Sequence, residues 1–280
     1  MPNSVRIVPV NFADSAEITA SSHVGALAPS NLKANFKSVV WRGAGTTETV
    51  TASLPKFQFI TCVALVWNNL TVEATVRVRI YGSAGDLEPQ YDSGVTLANS
   101  AEPFGDFSWG RDGLGEENFY QRSGSPAYSV MWIPPNIGGS RVVIDISDPQ
   151  NLSGTIEVSK LVIGQYWSPE ITADLGLQLS SEDLSKHYRT ESGDLRTSLR
   201  PKSKSISFSL SALAPEEGEH LLAMLGAGGI ARPVFVSMYP EHADANLERM
   251  YQLYGKLSKS TSLATTGFNV RQSRISIEEL

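Results

Sequence analysis

Apolar and polar residues alternate over short stretches through the first 165 or so positions. In "ETVTASL" Val50, Ala52 and Leu54 fall on one side, with threonines and Ser53 on the other. That two-residue period predicts a strand with one buried face. "ATVRVRIYG" repeats it, with Val76, Val78 and Ile80 inward and Arg77 and Arg79 outward. "FITCVALVW" is instead a continuous apolar run, the mark of a strand covered on both faces. "AYSVMWIPP", "RVVIDIS" and "TIEVSKLVIGQYW" add further strands, punctuated by Gly, Pro, Asn and Asp. Many short strands and no convincing amphipathic helix predict a β-sandwich or jelly roll.

The pattern breaks at "GQYWSPE". Pro169 cannot donate to a ladder and biases Ser168 to an extended form, which places a domain junction at about Gly164 to Glu170. The expected domains are residues 1–165 and 166–280. In the second, "KSISFSLSAL" alternates with Ile206, Phe208 and Leu210 on one face and serines on the other. One helix follows in "APEEGEHLLAMLGAGG". Pro215 suits its first position, Glu216 and Glu217 complement the N-terminal dipole, and the glycines from Gly226 stop it. Leu221, Leu222 and Leu225 share a face by spacing. "RPVFVSMYP", "RMYQLYGKLSKS" and "TGFNVRQSRISIEEL" are three more strand candidates, making this domain β-rich with one helix on its sheet.

Composition narrows the function classes. A chain of 280 residues with 41% hydrophobic and 19% charged residues supports real cores. The net charge of -6 makes tight nucleic-acid binding unexpected, because a general phosphate-binding surface needs excess cations. The one cysteine, Cys62, has no internal disulfide partner, and its apolar surroundings read as a small buried hydrophobe. The N-terminal residues lack the apolar core of a signal peptide, and no run approaches the ~18 apolar residues of a membrane span. A soluble protein made in a cytoplasm is expected.

Candidate chemistry is sparse. His23, His187, His220 and His242 are scattered; His242 and Asp244 form H-x-D without a second histidine, so no metal site is expected. The "GAGG" from Gly226 closes a helix, whereas phosphate loops open one. Asp145 and Asp148 form a weak candidate for structural calcium, lacking a full ligand set. Trp41 beside Arg42 reads either as a sugar platform or as core at the start of a strand; the preceding Val39 and Val40 favour core. The loop "PFGDFSWGRDGLGEENFYQ" places Phe104, Phe107, Trp109, Arg111, Phe119 and Tyr120 among glycines and acids. Its carboxylates can be cast as a glycosidase pair. A contact surface for a subunit or glycan is the simpler reading. No enzyme activity, catalytic residue or cofactor is expected.

The run from "NFADSAEITASSHVGALAPSNLKANFKSVVWRGAG" through "ALVWNNL" to "RVRIYGSAG" resembles the N-terminal jelly rolls of phage minor tail proteins, with a galactose-binding-like sandwich. The segment "RPVFVSMYP…MYQLYGKLSKS" and its following hairpin are similar to the tube-related belt domain of distal tail proteins. In that family the ring domain usually comes first; here the order is reversed, which leaves open whether this is the distal tail protein or another tip part. The resemblance implies a structural component of a long-tailed phage tail tip or baseplate, located in the virion. It would form a six-fold ring, or a three-fold hub part, joining tube to hub. The implied partners are itself, the tail tube protein, the hub, and fibre or receptor-binding proteins, with DNA only in transit and no membrane. Ring contacts are expected on Ile206–Leu210, Val234–Tyr239 and Arg249–Leu257, through Ile206, Phe208, Leu210, Val234, Val236, Tyr239, Tyr251 and Tyr254. The alternative is a carbohydrate-binding module attaching the virion to host glycans. A lectin would expose Trp109 or Trp67 beside polar groups.

Overall fold

The computed structural model describes residues 4–99, 127–174, 176–183, 185–200, 202–242 and 244–280. The chain is mainly β and divides into two compact units. One, here the sandwich unit, comprises Val8–Trp167 and Glu241–Gln252; the other, the sheet unit, comprises Met1–Ile7, Ser168–Pro240 and Leu253–Leu280. Neither is a single stretch of chain.

The chain opens with β1 (Arg6–Val8). In the sandwich unit one sheet runs in the order β2 (Glu17–Ala20), β4 (Thr47–Phe59), β10 (Gly138–Ser147), β6 (Thr75–Tyr81) and β7 (Tyr91–Asp92). The short β8 (Thr96–Leu97) also pairs with β6. The facing sheet runs β3 (Trp41–Arg42), β11 (Glu157–Gly164), β5 (Cys62–Asn68) and β9 (Ala127–Trp132). From β2 to β6, and again from β9 to β11, successive strands alternate between the two sheets, the winding of a jelly roll.

The alternating strands bury the faces their period predicts. Val50, Ala52 and Leu54 of β4, Val76, Val78 and Ile80 of β6, and Val142, Ile144 and Ile146 of β10 meet Val63, Leu65, Leu161 and Ile163 of the facing sheet. Arg77 and Arg79 point outward to Asp92 and Asp145. All seven residues of β5 are buried, as its unbroken apolar run requires. Cys62 lies there, a buried free thiol. Two buried charged groups of this unit are matched by hydrogen bonds. Lys160 of β11 is fully buried, and its Nζ donates to Asp14 Oδ1 at 2.6 Å and to the Lys33 carbonyl at 2.7 Å. Burial nevertheless holds its pKa below the ordinary lysine value, with Asp14 opposing. Glu48 accepts from the hydroxyls of Ser21 and Ser22 and from the Gly45 amide. Burial pushes its pKa up, but those donors outweigh it and the net shift is down.

The sheet unit has the strand order β1, β16 (Val234–Ser237), β17 (Gln252–Leu257), β19 (Val270–Glu279), β15 (Lys202–Leu213) and β12 (Gln178–Asp183). A further strand, β18 (Ala264–Gly267), pairs with β19, while β13 (Lys186–Arg189) and β14 (Leu195–Ser198) pair with each other. Helix α1 (Pro215–Gly226) packs on β15 and β19. Glu217 closes its first turn, accepting from the amides of Ala214 at 3.0 Å and Glu170 at 2.9 Å. Leu221 and Leu225 are buried as expected, but Leu222 is 40% exposed. The stripe is narrower than its spacing suggested.

Two features depart from the expectations drawn from the sequence. A second helix, α2 (Ala245–Met250), occupies the start of the expected strand from Arg249, so the strand begins only at Gln252. Asp244 is the cause: its carboxylate caps the amides of Asn246 and Leu247 at 2.9 and 3.3 Å. The other departure is the exposed run β12 to β14, whose polar composition carries no apolar period.

Candidate functional site

The sandwich unit contains a cleft of about 170 Å³. Its apolar side comes from Leu97, Tyr128 and Val130, and its polar side from Glu248, Arg249 and Gln252. Tyr128 and Val130 alternate with Ser129 and Met131 along β9. Met131 packs into the sandwich core, so the strand turns Tyr128, Val130 and Trp132 to its other face. The polar side arrives from far along the chain, on the segment Glu241–Gln252.

Glu248 is the hub of that segment. Its Oε1 accepts from the Trp132 indole N–H at 2.9 Å, and its Oε2 accepts from the Glu241 amide at 3.0 Å. Gln252 bonds it as well. Burial pushes the Glu248 carboxyl above the ordinary glutamate value, and the Trp132, Glu241 and Gln252 bonds only partly offset this. Trp132 is fixed in turn by an edge-on contact with Tyr166, ring centroids 5.6 Å apart. Arg249 and Gln252 are both buried, at 8% and 4% exposure.

The cleft floor is anchored on its other side. The Trp67 indole N–H donates to the Tyr128 hydroxyl at 3.0 Å, and Lys37 Nζ lies 5.3 Å from the Trp67 ring centroid. Trp67 has φ 56°, and Glu241 has φ 54°. Side chains rarely adopt this left-handed conformation, which costs about 1–3 kcal/mol per residue. Two of the three such non-glycine residues among those described therefore hold groups that build the cleft. Beneath it lies a buried amide–hydroxyl network. Asn68 Nδ2 donates to Ser129 Oγ at 2.9 Å, and Ser129 Oγ donates to Asn99 Oδ1 at 3.0 Å. Asn99 Nδ2 donates to the Leu70 carbonyl at 3.3 Å.

No protein-family model matches the chain, and no curated protein matches it. Among solved structures the chain is similar to a Ruminococcus gnavus GH29 fucosidase in complex with fucose. The identity is 10% and the TM-score 0.38, over 57% of this chain and 27% of that one. A Clostridium perfringens CBM32 module in complex with GalNAc-β-1,3-galactose is similar over 56% of this chain and 100% of its own, with 9% identity and TM-score 0.37. The family 32 CBM of C. perfringens NanJ, in complex with galactose, is similar over 58% and 99%, with 13% identity and TM-score 0.35. This chain thus spans about a quarter of the fucosidase and nearly all of the two modules.

The residues singled out from the sequence fall elsewhere. Phe104, Phe107, Trp109, Arg111, Phe119 and Tyr120 lie outside the described residues. The positions flanking that stretch are Asn99 and Ala127, and Ala127 pairs with Asn68 across β5 and β9. Trp41 is fully buried and its indole N–H donates to the Ser22 carbonyl at 3.1 Å, while Arg42 pairs with Glu157 at 2.7 Å. This is core, with its arginine at the rim. Trp67 is 3% exposed, so it offers no open stacking face. Ile206, Phe208, Leu210, Val234, Val236 and Tyr254 are buried within the chain itself, whereas Tyr239 and Tyr251 are half-buried. Asp145 is engaged by Arg79 and Thr49, and Asp148 by Thr71 and Asn151, so each is committed to a separate structural role. His242 Nδ1 accepts from the Asp244 amide at 3.0 Å, in the turn before α2. Glu248, Arg249, Gln252 and Tyr128 were missed as a site because they meet only through the fold.

Proposed function

We propose that the protein binds carbohydrate, holding a neutral sugar in the cleft of the sandwich unit. The observation that supports this reading is the convergence of a carboxyl, a guanidinium and a carboxamide, from Glu248, Arg249 and Gln252, on one cleft with Leu97, Tyr128 and Val130. These are group types that hydrogen-bond sugar hydroxyls. Tyr128, Val130 and Leu97 offer apolar surface for the ring's C–H groups. A calorimetric titration with fucose, galactose and GalNAc-β-1,3-galactose tests it. Gln252→Ala should weaken binding at least about tenfold, or ~1.4 kcal/mol, measured at a temperature where the variant is still fully folded, since losing its bond to Glu248 also lowers stability. Binding unchanged by this substitution, or no binding of any of the three sugars, would rule out the cleft as a sugar site.

A second reading, the assembly role implied by the resemblance to tail-tip proteins, is favoured by one observation. The sheet unit displays a fully exposed β-hairpin that nothing in its own chain covers among the described residues. On this reading the protein is a ring-forming scaffold, and the cleft belongs to a module it carries.

A further inference from the structure

In the sheet unit β12 and β15 pair from Gln178↔Ser207 to Asp183↔Lys202, and β13 and β14 pair from Lys186↔Ser198 to Arg189↔Leu195. Together they form one long hairpin. Its proximal half lies at the edge of the sheet, and its distal half pairs only with itself among the described residues. The tip is a tight turn in which the Gly193 amide donates to the Thr190 carbonyl at 2.9 Å, with Gly193 at φ 87°. All eight residues of β13 and β14 are exposed.

Register sorts their side chains. Lys186 with Ser198 and Tyr188 with Arg196 share one face; His187 with Thr197 and Arg189 with Leu195 share the other. Neither face has an apolar stripe of its own to bury. Tyr188, Leu195 and Leu199 are 54%, 59% and 86% exposed. An isolated two-stranded hairpin is marginally stable in water, and its outer edges carry unpaired amides and carbonyls. Such an arm gains order by lying on another surface.

Charge selects the surface. From Lys186 to Arg200, the distal half, there are four Lys and Arg against two acids, Glu191 and Asp194. The whole chain has 23 Lys and Arg against 29 Asp and Glu, so outside this arm acids outnumber bases by eight. Lys186, Arg189, Arg196 and Arg200 have no ion-pair partner among the described residues. On the same unit, Glu216 and Glu219 of α1 are exposed and likewise unpaired among the described residues.

We propose that the basic hairpin arm docks on the acidic surface of a second copy of this chain. Contacts run through Lys186, Tyr188 and Arg196, which share one face of the hairpin. The aromatic ring and the arginine are side-chain types that dominate interfaces, and the opposite charge of the two surfaces steers them together. This contact is distinct from the expected ring strands, whose apolar side chains are turned inward.

The test is sedimentation of the full chain over a range of concentrations, at about 50 mM and about 500 mM salt. Concentration-dependent association is expected at low salt, weakening by about tenfold or more at high salt. The double substitution Lys186→Glu with Arg196→Glu should weaken association to a similar degree. The milder pair Lys186→Ala with Arg196→Ala should do so less, and both variants should melt like the parent. A chain that stays monomeric at low salt throughout the range overturns the proposal. So does association that persists unchanged in both variants, or arm-dependent binding of a sulfated polyanion by a chain that stays monomeric.

Discussion

A single side chain shows how this fold balances charge against burial. Glu248 sits largely out of water, bonded by an indole N–H and a backbone amide, yet its pKa is raised. Three donors are therefore not enough to make the carboxylate comfortable. The consequence for stability has a definite sign. Below the ordinary glutamate value of 4.5, the group is protonated in both the folded and unfolded chain and contributes nothing. As pH rises from there toward the raised folded value, the unfolded chain loses its proton first, so the folded state loses relative stability. Glu248→Gln keeps one acceptor for Trp132 and removes the titration. Melting curves from pH 4 upward should show the difference, parent minus variant, falling as pH rises above 4.5. A difference that stays flat or rises over this interval would contradict the assignment of burial as the dominant cause. Trp41 and Arg42, by contrast, resolve as core and rim because strand pairing of Trp41 with Val158 leaves the indole no open face.

At the scale of elements, close approach between strands sets the strictest demands. β10 shifts register between Gly139 and Arg141, and there a Cβ on Gly139 would lie 2.1 Å from the Tyr81 carbonyl oxygen and 2.8 Å from Ile80 Cγ2. Backbone cannot yield as a flexible side chain can. Gly139→Ala should destabilise the protein by about 3 kcal/mol, at the upper end of overpacking costs. Gly85→Ala, where no atom lies within 4 Å of the added carbon, is the matched control. Urea midpoints that coincide for the two variants would refute the crowding argument. The same scale explains what could be read in advance. β4, β6 and β15 were legible because one buried face imposes a two-residue period, and β5 because two buried faces remove it. Helix α1 was legible from Pro215 and its leucines. Helix α2 was not, since six residues are too few for a periodic signal and only the Asp244 cap marked it. The arm was silent for a different reason: with no face to bury, it has no apolar period to display. The cleft was the least legible feature, because Tyr128 and Glu248 lie 120 positions apart and only folding brings them to one site.

For the whole molecule, the order of segments matters more than the count of domains. The first seven residues belong to the sheet unit, where β1 lies beside β16, although the next 160 build the sandwich. Glu241–Gln252 belongs to the sandwich unit, although the chain on both sides of it builds the sheet. A cut between the units near Ser168 therefore does not divide them cleanly. The N-terminal product keeps β1, which the sheet unit needs at its edge. The C-terminal product keeps α2, which supplies Glu248 to Trp132 and one side of the cleft. The junction itself is tied into the sandwich: the Tyr166 amide donates to Thr61 Oγ1 at 2.8 Å, and the Tyr166 ring packs on Trp132. Each product is then held by a segment whose release would strand buried polar groups, at about 1–3 kcal/mol for each unsatisfied group. A protease site inserted after Ser168 and cut under native conditions should leave two fragments that co-elute on gel filtration. They should part only in denaturant, and the nicked protein should keep the sugar affinity of the intact chain. Fragments that separate at once in native buffer would mean that the shared segments contribute too little to join them, and that each unit stands on its own consecutive stretch of chain.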